Sequence, residues 1–183
     1  GISLFPFEGA NDAQILRQAD TAMYEAKESG RNAYRFYRQE MQQQVAERAK
    51  LEKALHSAIG NNEFYLVYQR SEALIRWFND ELGLVPPNRF IPIAEEVGLI
   101  YGVGNWVLEN VCQQLKIWQD MGLPSTFKGV AINISPYQFA KECFVEIVCD
   151  VIDRSEFDAG LLYLEITEGM LVDNISSVAE KMW

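Results

Sequence analysis

The sequence predicts an α/β protein in which helices cover a mainly parallel β-sheet. From residue 61 onward, strand-like and helix-like segments alternate along the chain. The strand-like segments are apolar rather than alternating, which is typical of strands that are buried on both faces of a parallel sheet. On this evidence a closed barrel and an open, doubly wound sheet both fit.

Composition and charge exclude some classes of protein. The 183 residues are 49% hydrophobic, which is enough for a packed core and argues against disorder. The net charge of -10 argues against a surface that binds the phosphate backbone of duplex nucleic acid. A small phosphate ligand remains compatible, because acidic side chains can hold a divalent cation that in turn holds the phosphate.

Cysteine usage indicates a reducing compartment. Cys112, Cys143 and Cys149 show no CxxC spacing, and the single histidine, His56, leaves no Cys/His zinc site of the usual kind. No secretory signal and no membrane-spanning apolar run are visible, so we expect a cytoplasmic protein. The chain begins at Gly1 within a strand pattern, so we expect a fragment whose upstream segments could carry a membrane anchor.

Residues 1–37 are expected to be the end of a preceding domain, because they are too few to fold alone. They contain a strand "ISLFPF", a helix with an apolar stripe over "NDAQILRQADTAMYEAKESGRN" and a closing strand "AYRFY". Asp12 is the predicted N-cap of this helix and Gly30 its C-terminal stop. Residues 38–60 follow as a long polar helix, which we interpret as a connector between domains.

Residues 61–183 carry the alternating pattern. The predicted strands are "EFYLVYQ", "EALIRW", "GVAINIS" and "LLYLEIT". The predicted helices are "NRFIPIAEEVGLI" after Pro86-Pro87, the long amphipathic "YGVGNWVLENVCQQLKIWQDMG" ending at Gly122, "FVEIVCDVIDRS" and "NISSVAEKMW".

Oxygen-bearing side chains lie inside or near the ends of three successive predicted strands. Glu72 lies in "EALIRW", Asn133 in "GVAINIS" and Glu165 in "LLYLEIT", with Glu168 just beyond. In parallel α/β folds the carboxyl ends of the strands form the site. Two carboxylates and an amide oxygen are ligands suited to Mg²⁺ or Mn²⁺, so the pattern indicates a metal site.

Structural explanations for the same residues stay open from the pattern alone. Glu72 and Arg76 could form an ion pair inside a barrel. Asn133 could cap a turn at Ser135-Pro136, and Glu165 and Glu168 could be solvated residues at a strand end.

Four motifs in order resemble the EAL domain of bacterial cyclic di-GMP signalling: "EALIRW", "GLVPPNRFIPIAEEVGLI", "VAINISPYQF" and "LEITEGML". Residues 1–37, with "ADTAMYEAKESGRNAYRFY", resemble the C-terminal end of a GGDEF domain. The resemblance implies a TIM-type (β/α)₈ barrel, incomplete in this chain, that hydrolyses cyclic di-GMP to linear pGpG with Mg²⁺ or Mn²⁺. It also implies a cytoplasmic bacterial protein, with anchoring to the inner membrane by upstream segments left open.

The resemblance assigns roles residue by residue. Glu72, Asn133 and Glu165 would bind the metal, and Glu72 would thereby also serve catalysis. Glu168 would brace the active-site loop beside the metals. The substrate pocket would be lined by Gln69, Leu74 and Arg76, with Arg76 on a phosphate. In the GGDEF end, Lys27 and Arg31 match basic residues that contact GTP phosphates; the alternative is a pair of cations that favour a helix C-terminus.

The chain departs from the family pattern in three ways. The segment between "YQ" and "EAL" is shorter than usual, and Arg70 runs directly into Ser71. We therefore expect residues to be absent at this point, since two neighbouring barrel strands need a connection. The "DDFG" segment, a downstream Lys and a late Glu are not in the sequence, and neither is the "GGDEF" signature itself.

Three functions are compatible with these motifs. The presence of Glu72, Asn133 and Glu165 favours a phosphodiesterase. The alternative is a catalytically inactive cyclic di-GMP receptor, and a third reading is a diguanylate cyclase with a regulatory EAL part. Cyclic di-GMP, GTP at the GGDEF part and a second copy of the chain are the expected partners, the last by resemblance only.

Overall fold

The computed structural model describes residues 1–4, 11–28, 30 and 32–166. The chain divides into two units, Gly1–Lys53 and Ala54–Trp183, and each is described by itself. Helix α2, Gln39–Ala58, contains the boundary between them. In the part of the chain that the structure describes, no helix is long and apolar enough to cross a membrane.

The first unit contains helix α1, Asp12–Glu28, and most of α2. The N-cap of α1 is Asn11 rather than the predicted Asp12, since the Asn11 side-chain oxygen accepts a hydrogen bond from the backbone N of Gln14 at 2.9 Å. Gly30 follows the helix with a φ of 100°, so the predicted stop is confirmed. The helix predicted at 38–60 is confirmed as α2, and its role as a connector between domains stays a prediction.

The two strands predicted in the first unit are reduced to a single bridge in the described residues. Ile2 and Phe36 form an isolated parallel bridge, with the Ile2 backbone N donating to Arg35 O at 2.9 Å. One paired residue does not make a ladder, so neither segment is a regular strand there; residues 5–10 lie outside the described part.

The second unit is built on a five-stranded mixed sheet. Its strands are β1 Phe64–Gln69, β2 Glu72–Asn79, β3 Gly83–Val85, β4 Val130–Ile134 and β5 Leu162–Ile166. The order is β1-β2-β4-β5, and β3 pairs with the end of β2. Strands β2, β4 and β5 are parallel, while β1 and β3 are antiparallel to β2, so the expectation of a mainly parallel sheet holds only for the β2-β4-β5 part.

The short connection between β1 and β2 corrects the expectation about Arg70 and Ser71. Gln69 pairs with Glu72, so Arg70 and Ser71 form a two-residue hairpin loop, with Arg70 at a φ of 57°. The expectation was that neighbouring barrel strands need a longer connection, but β1 and β2 are antiparallel, and antiparallel strands can be joined by two residues. The chain folds through this point without an added segment.

The second unit contains four further helices, of which three follow the predicted positions and one was not predicted. They are α3 Pro87–Glu96, α4 Ile100–Met121, α5 Pro136–Ala140 and α6 Phe144–Ser155. Gly122 caps the C-terminus of α4, as predicted. Helix α5 and strand β3 were not predicted, because each is too short to show a period. The helix predicted over "NISSVAEKMW" lies outside the described residues.

The core lies on one face of the sheet. Val130, Ile132 and Ile134 of β4 pack with residues of α4 and α6. Burial, with Glu109 nearby as a second cause, raises the pKa of the Cys112 thiol in this core to about 11. The opposite face is largely exposed among the described residues, with Tyr65, Val67 and Tyr163 exposed on it and Ala131 buried, although the apolar strands predicted burial on both faces.

Candidate functional site

The sheet register places the three predicted metal ligands on one face. Asn133 of β4 pairs directly with Glu165 of β5. Glu72, the first residue of β2, pairs with Ala131, which lies two residues before Asn133 on the same face. Paired residues of parallel strands share a face, so Glu72, Asn133 and Glu165 all project from the exposed side of the sheet.

The spacing of these side chains suits a shared cation. A step of two residues along a strand and one strand across separates the Cα atoms of Glu72 and Asn133 by about 8 Å, which two side chains can bridge through an ion. All three residues are exposed. In the described residues, no hydrogen bond or ion pair commits the side chain of any of them, so their oxygens remain available. The donor set of two carboxylates and one amide fits Mg²⁺ or Mn²⁺.

Among the described residues, no three His, Cys, Asp or Glu side chains lie close enough to hold a metal ion. The set proposed from the sequence contains Asn133 as its third member, so that result does not bear on it.

The ion pair between Glu72 and Arg76 is not formed. The two residues share a face but lie four positions apart on β2, which separates their Cα atoms by roughly 13 Å. Arg76 instead turns its Nη1 to the carbonyl oxygen of Ile75, at 2.9 Å. The structural explanation for this pair is therefore wrong, and Glu72 forms no ion pair within the described residues.

A cavity of about 330 Å³ opens where β2 and β4 separate. The two strands pair only through Glu72–Ala131 and Ala73–Ile132, so their later residues diverge. Leu74 and Arg76 line the cavity from β2, and Asn133 lines it from β4. Its apolar wall comes from α3 and α4 and is formed by Pro87, Ile91, Ile100, Val103 and Val107.

The predicted substrate residues fall partly in this cavity. Leu74 and Arg76 line it, whereas Gln69 does not and instead lies exposed at the end of β1, paired with Glu72. Gln69 is thus near the face that carries the three predicted metal ligands rather than within the cavity. The structure brings together Glu72, Gln69, Asn133 and Glu165 on the open face, and Leu74, Arg76 and Asn133 around the cavity.

Glu95 and Ser135 belong to the cavity wall and were not singled out from the sequence. The Ser135 hydroxyl donates to Glu95 Oε1 at 2.7 Å and caps α5 by accepting from the Tyr137 backbone N. The Gln138 side chain completes a capping box with Ser135. The spacing Ser-Pro-Tyr-Gln at 135–138 was the available signal, since Ser followed by Gln three residues later marks a capped helix. Ser135, not Asn133, is therefore the cap at this turn.

Three other predicted residues add little to the described site. Glu168 and Arg31 lie outside the described residues. Lys27 is exposed in the last turn of α1, in the first unit, where a cation also favours the helix dipole.

The fold and the arrangement of these side chains indicate a class of protein. A mixed sheet with a parallel β2-β4-β5 part, oxygen-bearing side chains on one face and a partly apolar cavity beside them is the layout of a ligand-binding or catalytic α/β domain. Residues 52–182 match the family described as the EAL domain. That match covers more than half of the chain, and the chain belongs to the EAL domain family.

Named relatives agree with this assignment. The chain is 39% identical, over 95% of its length, to the cyclic di-GMP phosphodiesterase PdeR of Escherichia coli, and covers 27% of it. It is 35% identical, over 92% of its length, to the bifunctional diguanylate cyclase/cyclic di-GMP phosphodiesterase MucR of Pseudomonas aeruginosa, and covers 26% of that protein. The chain thus spans about a quarter of the length of these curated relatives.

A solved structure shares the fold. The PaMucR phosphodiesterase in complex with c-di-GMP aligns with a TM-score of 0.66 at 32% identity, over 71% of this chain and 57% of that one. The EAL part of the resemblance and its barrel-like α/β fold are thereby confirmed. The GGDEF end and the site roles remain predictions.

Proposed function

We propose that the second unit hydrolyses cyclic di-GMP to linear pGpG as part of a longer signalling protein. The observation that carries the proposal is the presence of Glu72, Asn133 and Glu165 on one sheet face, beside a cavity, in an EAL domain. Relatives named as cyclic di-GMP phosphodiesterases support it.

Glu72, Asn133 and Glu165 would hold a divalent ion, Mg²⁺ or Mn²⁺. Such an ion supplies a bound water of lowered pKa and neutralises phosphate charge. Exposed carboxylates without a partner repel one another and a phosphodiester alike, so their placement on one face is explained by a cation between them.

The residues of the chain would bind and orient the nucleotide. Arg76 carries a planar guanidinium into the cavity, where it can contact phosphate oxygens and stabilise charge that develops during hydrolysis. The apolar wall of α3 and α4 can pack on one base of the dinucleotide. Gln69, next to Glu72 across the hairpin, would contact the substrate from the open face. Glu168 would brace the loop that follows β5.

A receptor that binds cyclic di-GMP without cleaving it is the second candidate. The cavity alone would serve such a protein, since binding requires no metal ligands. The presence of all three ligand residues favours the enzyme.

We also propose that residues 1–37 are the end of a GGDEF domain, with residues 38–60 as the connector and 61–183 as the first part of the EAL domain. The alignment with MucR supports this, because it extends over 92% of the chain and therefore beyond residues 52–182. Lys27 and Arg31 would then lie near a GTP site, and dimerisation would be a property of the whole protein.

The test is incubation of the full-length protein with cyclic di-GMP, with Mg²⁺ or Mn²⁺ and with EDTA. We expect pGpG to form with either ion and to disappear in EDTA, measured by chromatography. Binding of cyclic di-GMP without any pGpG would contradict the enzyme and establish the receptor.

A further inference from the structure

The end of β4 is held on one side only. Strand β5 pairs with β4 as far as Ile134–Ile166, whereas pairing with β2 stops at Ile132. On the β2 side the backbone at Asn133 therefore has no ladder and borders the cavity instead. The position of the Asn133 amide then depends on what fixes the residues that follow it.

Three hydrogen bonds of the Ser135 backbone N and hydroxyl supply that fixation. Its backbone N donates to Gln138 Oε1 at 3.3 Å, and its hydroxyl oxygen accepts from the backbone N of Tyr137 at 3.3 Å. Its hydroxyl proton goes to Glu95 Oε1 at 2.7 Å. A serine hydroxyl has a single proton. Because Ser135 donates this proton to Glu95, its oxygen lone pairs are left to accept the hydrogen bond from the backbone N of Tyr137.

The contact with Glu95 ties this turn to a different part of the fold. Glu95 lies on α3, 40 residues before Ser135 in the sequence, and is partly buried in the cavity wall. No ion pair of Glu95 occurs among the described residues, so no cation offsets the cost of withdrawing its charge from water. An apolar side chain would lose less free energy of hydration at this position. The carboxylate is therefore explained by its role as a hydrogen-bond acceptor for Ser135.

We propose that Glu95 is a positioning residue that acts through Ser135 to fix the amide of Asn133 beside Glu165. The inference rests on the proposed function only in that Asn133 serves as a metal ligand. Outer partners that orient a ligand typically change metal affinity by about 10–100-fold when they are removed.

The test measures Mn²⁺ binding by electron paramagnetic resonance in the full-length protein, together with hydrogen exchange of the backbone amides of residues 133–138. Glu95→Ala is expected to weaken Mn²⁺ binding about 10-fold and to speed exchange in this segment. Glu95→Gln keeps an acceptor oxygen and should remain within about 3-fold of the wild type. Ser135→Ala should repeat the effect of Glu95→Ala, and the double variant should be no worse than either single one.

Binding of cyclic di-GMP without divalent ions provides the second readout, and Glu96→Gln, an exposed charge loss on the same helix, provides the matched control. The ion-free affinity should stay within about 3-fold of the wild type in Glu96→Gln. In Glu95→Ala and Ser135→Ala, which change the cavity wall, it should fall by a smaller factor than Mn²⁺ binding does. Unchanged Mn²⁺ binding in both Glu95→Ala and Ser135→Ala would overturn the proposal. Mn²⁺ binding as weak in Glu95→Gln as in Glu95→Ala would also overturn it. A loss of cyclic di-GMP binding with unchanged Mn²⁺ binding would overturn it as well, because Glu95 would then contact the nucleotide. Absence of hydrolysis in the wild type would count against the proposed function but leaves these readouts intact.

Discussion

Glu63 shows how a single residue fixes the open end of the β1–β2 hairpin. Its carboxylate accepts hydrogen bonds from Trp77 Nε1 at 2.8 Å, Asn79 Nδ2 at 2.9 Å and Asn61 Nδ2 at 3.0 Å. Burial alone would raise the pKa of Glu63, but the bonds from Asn79, Trp77 and Asn61 together outweigh it and hold the pKa below its usual value.

The direction of this shift sets a pH dependence. A carboxyl group with a lowered pKa in the folded state stabilises the fold above its unfolded pKa, and this contribution is lost as the pH falls through the folded value. Glu63→Gln should therefore lower the free energy of unfolding by about 1 kcal/mol at pH 7. The gap from the wild type should narrow progressively below pH 4.5, the ordinary value for this group.

Urea unfolding followed by tryptophan fluorescence, over about pH 3 to 7, measures the difference in free energy of unfolding between the wild type and Glu63→Gln. Glu81→Gln is the control, since Glu81 is exposed in the turn between β2 and β3. A gap that stays constant down to pH 3, or an equal effect of Glu81→Gln, would refute the role of the Glu63 carboxylate.

Individual residues differ in how far the sequence predicts their role. Glu72 and Asn133 stood out because a charge or amide within an apolar strand needs an explanation. Glu95 did not, because an acidic residue near the end of a helix is ordinary and its partner Ser135 is distant in sequence. The ion pair with Arg76 looked plausible at four residues in the sequence, but an extended strand separates them too far.

At the scale of elements, α4 and α5 meet at a glycine. A Cβ atom at Gly104 of α4 would lie on the side-chain amide of Gln138, within contact of its Nε2, Cδ and Oε1 atoms. Gln138 is buried and belongs to the capping box of α5. A side chain at residue 104 would therefore displace Gln138 and disturb the turn that carries Ser135.

Gly104→Ala is expected to lower the free energy of unfolding by about 1 kcal/mol despite the better helix propensity of alanine, because the cap is lost. Gly102→Ala on the same helix is the matched control. Its Cβ would meet only the flexible tip of Ile59, at 3.2 Å, and we expect no loss. Chemical denaturation measures both. Equal stability of the two variants would contradict the close approach at Gly104.

The sequence predicts an element well where the segment is long enough to repeat its hydrophobic period several times, and poorly where the segment is short. Helix α6 spans the predicted segment, and α4 ends at the predicted glycine. The three-residue β3 and five-residue α5 carry too few residues for a period to show. The hairpin at Arg70 and Ser71 was misjudged because direction of pairing, which decides loop length, is not visible in an apolar strand.

For the molecule as a whole, the sequence pattern left barrel and open sheet undecided, and membership of the EAL family resolves it in favour of the barrel-like fold. The parallel β2-β4-β5 part explains the location of the site. It places Glu72, Asn133 and Glu165 on the same face, although Glu72 and Glu165 are 93 residues apart in the sequence. The separation of these three residues in the sequence does not predict their distance in space, which depends on the register of the strands.

Cyclic di-GMP hydrolysis by the full-length protein with Glu72→Ala tests the proposed metal centre, beside Glu81→Ala, which removes an exposed carboxylate outside the site. We expect Glu72→Ala to lose at least about 100-fold in kcat/KM, since a metal ligand is removed, while Glu81→Ala retains the wild-type rate. Hydrolysis by Glu72→Ala at the wild-type rate would contradict the assignment of this sheet face as the metal-binding centre.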